Sequence, residues 1–531
     1  MPTPSPRTVL YQGGHLHTAT HHPHSTTGGP GHTTPTADPA ATAMLTIGDT
    51  ITWLGTDDQA ATLTDTADTV HTLHGELITP AFVDAHLHTT ATGLALTGLD
   101  LTGSPTRTAA LDALAAHARS HRHTTVYGTG WDETAWPDHT PPTAAELDRA
   151  TGGAPVYLAR VDGHTAVIST TLAHAADAAT HPGWHPDGLV TGAAHHQARR
   201  HADTTLPAHQ RRAAWNAVRT RAAELGIAAL HEMAGPHVSS ADDLAGLLAH
   251  AQATPGPLVL GYWAGDKPTA AALGAHWGGD IFVDGSLGSH TAALHHPYTD
   301  TPHHGTLHLD ADTIRDIALT CADTGAQTGF HAIGDAAITT VLDGLNAAAA
   351  HLGRHRLAAA RHRLEHAEMI NEAHLARIAA LGLVISTQPA FDARWGGTTG
   401  MYATRLGPDR AATLNPYAAL AHAGIPLAFG SDAPVTPLDP WGAIHAATAH
   451  HTHTARLPAH TALRAATHGG WYAAHAEHDG HGTLAPGHPA TYAIWTHTGL
   501  HPTTGLPHPD TAQPLCRRTV LRGQILHDTL T

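Results

Sequence analysis

Lysine is all but missing from this chain of 531 residues: Lys267 is the only one, and the other permanently cationic side chains are arginines. So few cations, with a formal net charge of −17 when histidine is neutral, argue against nucleic acid as a partner. Cysteine is nearly as scarce. Cys321 and Cys516 cannot build a disulfide framework, and Cys321, on the apolar face Ile314, Ile317, Ala318, Cys321 of an expected helix, reads as a buried structural thiol. No run of 18 apolar residues occurs, so no membrane-spanning helix is expected. No apolar segment follows Met1–Arg7, which excludes a secretory leader there and makes the cytoplasm the expected compartment. Charged residues are 13% of the chain against 41% hydrophobic, which excludes a disordered polymer. The length allows two or more domains and a large core.

What the chain has in excess is histidine, 53 residues of it. Abundance dilutes the meaning of any one: chance alone places about five His-x-His pairs in such a composition. His15/His17, His22/His24, His86/His88, His121/His123 and His451/His453 are the pairs found. Context singles out His86/His88. They close the stretch I-T-P-A-F-V-D-A-H-L-H (Ile78–His88), where Phe82 and Val83 read as a buried strand entered at Pro80. Residues two apart on a strand share a side, so both imidazoles face one point and offer two ligands to a divalent ion. The His21–Thr42 tract, rich in His, Thr, Pro and Gly, reads instead as a solvated loop.

Strand-and-turn patterns at both ends, T-V-L-Y-Q-G-G and A-M-L-T-I-G-D-T-I-T-W-L-G early, G-T-L-A-P-G-H-P-A-T-Y-A-I-W and R-R-T-V-L-R-G-Q-I-L late, predict a small composite β-sandwich from residues 1–79 plus 480–531. Between them strand alternates with helix, the pattern of a parallel α/β fold. Strands are expected to end near His88, Glu232, Trp263, Asp284, His331, His366, Gln388 and Asp432. Eight is the number for a distorted (β/α)8 TIM barrel, here over residues 80–479. Helices are expected from the faces Trp215, Val218, Ala222, Leu225; Ile338, Val341, Leu342, Leu345; and Leu375, Ile378, Leu381 with Gly382 as stop. The gap after the first strand is too long for one unit and places an insertion, 98–205, over the barrel mouth.

Catalytic groups of such barrels sit where strands end. Those ends carry His86, His88, Asp284, His331, His366 and Asp432, the donor types of a metal hydrolase. The motifs P-A-F-V-D-A-H-L-H, D-G-S-L-G-S-H-T-A, H-A-I-G-D, L-E-H-A and G-S-D-A-P-V resemble those of the amidohydrolase superfamily, of the amidohydrolase-3 type that includes N-substituted formamide deformylases. The resemblance runs from about Thr8 to the C-terminus. It implies that His86, His88 and Asp432 bind one metal and that His331 and His366 bind or approach a second. Zn²⁺ is the expected ion. Members of the family often carry a carboxylated lysine, bridging two metals, four residues before the Asp of D-G-S. That position is Asp280, whose shorter side chain cannot fill the same space, so one ion is expected over two, with ligation by Asp280 and a structural role weighed equally.

Asp432 is then the general acid/base of a hydrolase acting on a non-peptide C–N bond in a small molecule, and His366, where it is not a ligand, steadies the oxyanion. Glu365, on the face opposite His366 by strand alternation, is expected to be a structural ion-pair partner. Trp131 and His164 of the insertion, with Arg394 and Trp395 after the seventh strand, are candidate substrate contacts, ordinary packing being an equal alternative. A metal-dependent esterase or phosphoesterase, and a non-catalytic small-molecule-binding barrel, are the competing readings. A small-molecule substrate, no nucleic acid and no membrane are the expected partners, with homo-oligomerisation left open.

Overall fold

Short parallel strands, nearly all of them buried, form the framework of the computed structural model, which describes residues 6–19, 41–121, 125–161, 165–322, 325–496, 499–501, 503–508 and 511–530. The eight expected strands are all present: β1 (Phe82–Leu87), β2 (Ile227–Ala234), β3 (Leu258–Trp263), β4 (Ile281–Phe282), β5 (Gly329–Ala332), β6 (Arg363–His366), β7 (Val384–Thr387) and β8 (Leu427–Phe429). Every residue of β1, β2, β5, β6, β7 and β8 is buried. Runs without polar alternation are what a parallel sheet covered on both faces requires.

Closure of these strands into one continuous barrel is not found. They form two parallel sheets. One is β1, β2, β3 and the short strand His276–Trp277; the other runs β4 to β8 in order. Between them lie Gly278 (φ +134°) and Gly279 (φ +87°). A Cβ on Gly278 would stand 2.3 Å from the backbone nitrogen of Gly329, so the chain passes too close to β5 for a side chain there. At the other end a single parallel bridge joins Leu87 to Ala433, beyond β8.

The helices follow from the apolar faces. Asp335–Leu352 buries Ile338, Val341, Leu342 and Leu345. Glu372–Leu381 buries Ile378 and Leu381 and stops at Gly382, in the left-handed conformation at φ +65°. Cys321 is fully buried in Ala311–Ala322, as expected.

The chain divides into two compact units. The first comprises residues 1–87, 220–235 and 251–531. Besides the strands above it holds two β-sheets made from the chain ends. One orders Thr50–Gly55, Ala43–Ile47, Thr8–Gln12 and Thr69–Thr72; the other orders His15–Leu16, Leu77–Pro80, Tyr492–Trp495, Cys516–Leu521 and Gln524–Asp528. Tyr11, Met44 and Ile51 of one share an apolar cluster with Ile78, Tyr492, Ile494 and Val520 of the other. The Tyr492 hydroxyl donates to that of Tyr11 across 2.8 Å. Residues 21–40 of the His21–Thr42 tract lie outside the described residues.

The second unit, residues 88–219 and 236–250, has its own five-stranded sheet, ordered Leu189–Thr191, Thr165–Ile168, Val156–Arg160, Val126–Trp131 and Leu99–Asp100. Two apolar clusters pack on it, one around Tyr157, Ile168 and Leu172 and one around Leu114, Trp131, Trp136 and Leu147.

Candidate metal centre

Five of the residues singled out from the sequence come together in the first unit. His86 is the next-to-last residue of β1, His331 lies within β5 and His366 ends β6, while Asp280 immediately precedes β4 and Asp432 follows β8. The ring centroids of His86 and His366 are 4.8 Å apart, and those of His331 and His366 4.4 Å. Asp280 is the hub. Its Oδ1 is 3.1 Å from His331 Nδ1 and 3.5 Å from His366 Nε2, and its Oδ2 is 3.8 Å from His86 Nε2. Asp432 Oδ1 stands 3.6 Å from His86 Nε2. The ligand atoms of His86, His366 and Asp432 all lie within 4.8 Å of one another, and so do those of Asp280, His331 and His366.

Which nitrogen each ring offers is set by what lies behind it. His86 Nδ1 meets Glu365 Oε2 at 2.8 Å, His366 Nδ1 meets Gln388 Oε1 at 2.8 Å, and His331 Nε2 meets the Gly285 carbonyl at 3.2 Å. All three partners are oxygen acceptors, so in neutral His86 and His366 that nitrogen carries the hydrogen and donates. The electron pairs are left on His86 Nε2 and His366 Nε2, which face Asp280, while His331 has an acceptor on each side, its Nδ1 lying 3.1 Å from Asp280 Oδ1. Pairs of electrons turned on a carboxylate are satisfied by added positive charge, either protons or a metal ion. Imidazoles with their second nitrogen tied to an acceptor are the usual form of metal-ligating histidine. The residues therefore fit a divalent cation.

The electrostatics agree. Burial disfavours charge on His366, but the hydrogen bond to Asp280 and the charges of Asp432 and Asp280 outweigh it and push the imidazole up to about 10. Burial likewise works against the Asp280 carboxylate, and the three imidazoles outweigh it, holding the group well below the usual range. Glu365, with no exposed surface, is brought down to about 2 against its burial, chiefly by the Arg363 charge.

Two backbone features shape the centre. His366 and Asp432 have φ of +66° and +52°, the left-handed region that non-glycine residues rarely enter. At Gly430 a Cβ would lie 2.5 Å from the backbone nitrogen of His86, so only glycine lets the end of β8 run against β1. Asp432 N then donates to the His86 carbonyl at 2.7 Å, and Ser431 N to the Asp84 carboxylate at 2.9 Å. Burial, opposed by the Ser431 hydrogen bonds, raises Asp84 to about 6.

His88, the first residue of the second unit, precedes the helix Thr89–Thr97, where its carbonyl accepts the Thr92 hydroxyl at 2.8 Å. Other expected site residues lie elsewhere. Trp131 is completely buried among Leu114, Trp136 and Leu147, its indole N–H donating to the Leu158 carbonyl at 2.8 Å, so it packs the core of the second unit and lines no surface. His164 lies outside the described residues. Asp284, a strand-end candidate, spends its carboxylate on three backbone N–H groups, of Ala293, Ile333 and Gly334, at 2.8, 3.0 and 2.8 Å, and so holds loops together. Trp395 is half-buried beside Phe391, with the Arg394 guanidinium 5.8 Å from its ring.

Sequence reasoning missed two groups. Glu365 does pair with Arg363, but it also grips His86. Glu368, two residues past His366, is buried against Tyr402 and is raised to about 7 by that burial, opposed by the Tyr402 hydrogen bond and the charges of His366 and His331. No pattern in the sequence marks Glu368. Arg363 and Glu365, at strand spacing, were the available sign of a buried pair.

Residues 69–527 match the model of the amidohydrolase family. YtcJ of Bacillus subtilis (strain 168), a protein named as an amidohydrolase, is 27% identical over 404 residues, covering 69% of this chain and 72% of that protein. Protein LONG AFTER FAR-RED 3 of Arabidopsis thaliana is 24% identical over 410 residues, covering 71% and 69%. In fold, the chain is similar to a metal-dependent hydrolase from Pyrococcus horikoshii OT3, with a TM-score of 0.76 at 22% identity, covering 94% of this chain and all of that one.

Proposed function

The chain belongs to the amidohydrolase family, and on that premise we propose that it is a metal-dependent hydrolase of a non-peptide C–N bond, in an amide, formamide or cyclic amide of a small molecule. The observation that carries this reading is the convergence of three buried imidazoles and two carboxylates with one nitrogen of each ring directed inward. His86, His331, His366, Asp280 and Asp432 are the proposed ligands, and His88 stays among them on the strength of the His-x-His motif. A divalent cation bound there, Zn²⁺ by its taste for mixed imidazole and carboxylate donors, supplies Lewis acidity and brings the pKa of a water to about 7.

The protein's own groups do the rest. Asp432, at the edge of the cluster, takes a proton from the attacking water and returns it to the leaving nitrogen. An imidazole N–H of His366, where that ring is not a ligand, steadies the carbonyl oxygen as charge develops on it. One ion is proposed over two, because Asp280 stands where the family often carries its bridging lysine and its shorter side chain cannot fill the same space.

The same reading takes β1–β8 as a distorted (β/α)8 barrel, residues 1–79 with 480–531 as a composite sandwich, and 98–205 as an insertion. The cytoplasm is the proposed setting and a small molecule the proposed partner. Among the described residues no helix is long and apolar enough to cross a membrane. The test is metal analysis with a substrate panel. One Zn²⁺-like ion per chain is expected, and Asp432→Asn should keep the metal while turnover falls by about 10² to 10⁴. Esters or phosphoesters hydrolysed in preference to amides would overturn the bond assignment.

A further inference from the structure

We propose that Arg363 and Glu365 are a positioning pair that decides which nitrogen of His86 carries its proton, and so which nitrogen is offered to a metal. The inference rests on the reading of the cluster as a metal centre.

Arg363 is 1% exposed and Glu365 not at all. The guanidinium grips the carboxylate on two sides, Nε to Oε1 at 2.6 Å and Nη2 to Oε2 at 3.1 Å. The guanidinium also reaches across the sheets. Nη1 donates to His231 Nδ1 at 2.9 Å, while the two Nη2 hydrogens are shared among Glu365 Oε2, the Ala85 carbonyl at 2.7 Å and Ser386 Oγ at 3.0 Å. The Tyr262 ring lies 4.6 Å from the guanidinium carbon. Residues of β1, β2, β3 and β7 thus converge on one cation supplied by β6. Its geometry is over-determined.

Stability does not explain such a pair. Apolar residues of the same volume often serve a fold as well or better than a buried ion pair. What they cannot supply is the contact on the far side of Glu365, where Oε2 accepts from His86 Nδ1 at 2.8 Å. Held by Arg363, the carboxylate is an acceptor only. It therefore keeps hydrogen on Nδ1 and the electron pair on Nε2.

The alternative tautomer would be harmful. A hydrogen on Nε2 would point at Asp432 Oδ1 and Asp280 Oδ2, 3.6 and 3.8 Å away, and satisfy those carboxylates in place of a cation. On their sides away from Asp280, His366 and His331 meet neutral acceptors, the Gln388 amide and the Gly285 carbonyl. Of these three outer nitrogens that of His86 has the charged acceptor, which commits the ring to one tautomer.

The test uses the full-length chain in metal-stripped and Zn²⁺-loaded forms. Zn²⁺ affinity is measured by chelator competition, the His86 tautomer by long-range ¹H–¹⁵N spectra of the imidazoles, and folding by thermal unfolding. Glu365→Gln still offers an oxygen to Nδ1–H, so the tautomer should persist while Zn²⁺ affinity falls about 10-fold; Glu365→Leu should mix the tautomers and cost about 100-fold. Glu365→Asp, with the charge kept, should recover part of the loss. If Glu365→Gln unfolds earlier yet binds Zn²⁺ as the wild type does, the pair is merely structural and the proposal is overturned, whether or not Glu365→Leu folds. A wild-type chain that binds no Zn²⁺ would instead sink the metal-centre reading and this inference together.

Discussion

Two left-handed residues, His366 and Asp432, carry much of the candidate site's character. A non-glycine backbone held there costs on the order of 1–3 kcal/mol, which the surrounding structure must sustain. At His366 the turn also ends strand alternation one residue early. Glu365 and His366 consequently both reach His86, although adjacent strand residues ordinarily face opposite ways. His86, His331, His366 and Asp432 were legible from their strand-end positions and Asp280 only through the family resemblance, while the role of Glu365 was not legible: alternation is a sequence rule, and a positive φ is invisible to it. Trp131 shows the opposite failure, since a large aromatic in an insertion reads equally as wall or as core. Gly430 makes the residue scale testable. Its substitution by alanine drives a Cβ into the backbone of His86, so Gly430→Ala should cost about 1–3 kcal/mol in chemical unfolding and weaken Zn²⁺ binding in the same protein.

Elements were the most legible level. β1 to β8 fall where hydrophobic runs bounded by turn residues placed them, and the helices bury the faces their spacing predicted. Helix ends follow equally local chemistry. Asn371 caps Glu372–Leu381 by accepting from His374 N at 3.0 Å, and His374 Nδ1 accepts in return from Asn371 N at 3.3 Å. Asn371→Ala removes the first of these and should cost about 1 kcal/mol, read as a lower midpoint in denaturant. Sheet continuity was not legible. The break between His276–Trp277 and β4 comes from Gly278 and Gly279 passing close to the neighbouring strands, a long-range demand that no local pattern announces.

Over the whole molecule, the histidine excess becomes an acid sensitivity. His362, His374 and His481 are each buried and held down to about 4, by burial first in every case, with the charges of His475, Arg377 and Arg522 adding to it respectively. The unfolded chain titrates near 6.5, so between pH 6.5 and 4 it binds protons that the folded chain refuses. The contribution of these histidines is therefore full above pH 6.5 and is lost as pH falls towards 4, His362 alone accounting for about 3 kcal/mol at the acid end. A thermal-unfolding series should show the midpoint dropping steeply across that window, and His362→Gln should flatten the slope.

Asp280 carries one more consequence. A lysine carboxylate exists only after the amine has captured dissolved carbon dioxide, whereas the carboxylate of Asp280 is encoded and ready once the chain folds. Loading of the stripped protein should thus proceed at one rate with or without added bicarbonate, measured in degassed buffer by recovery of bound zinc. Zinc uptake would then be indifferent to that gas.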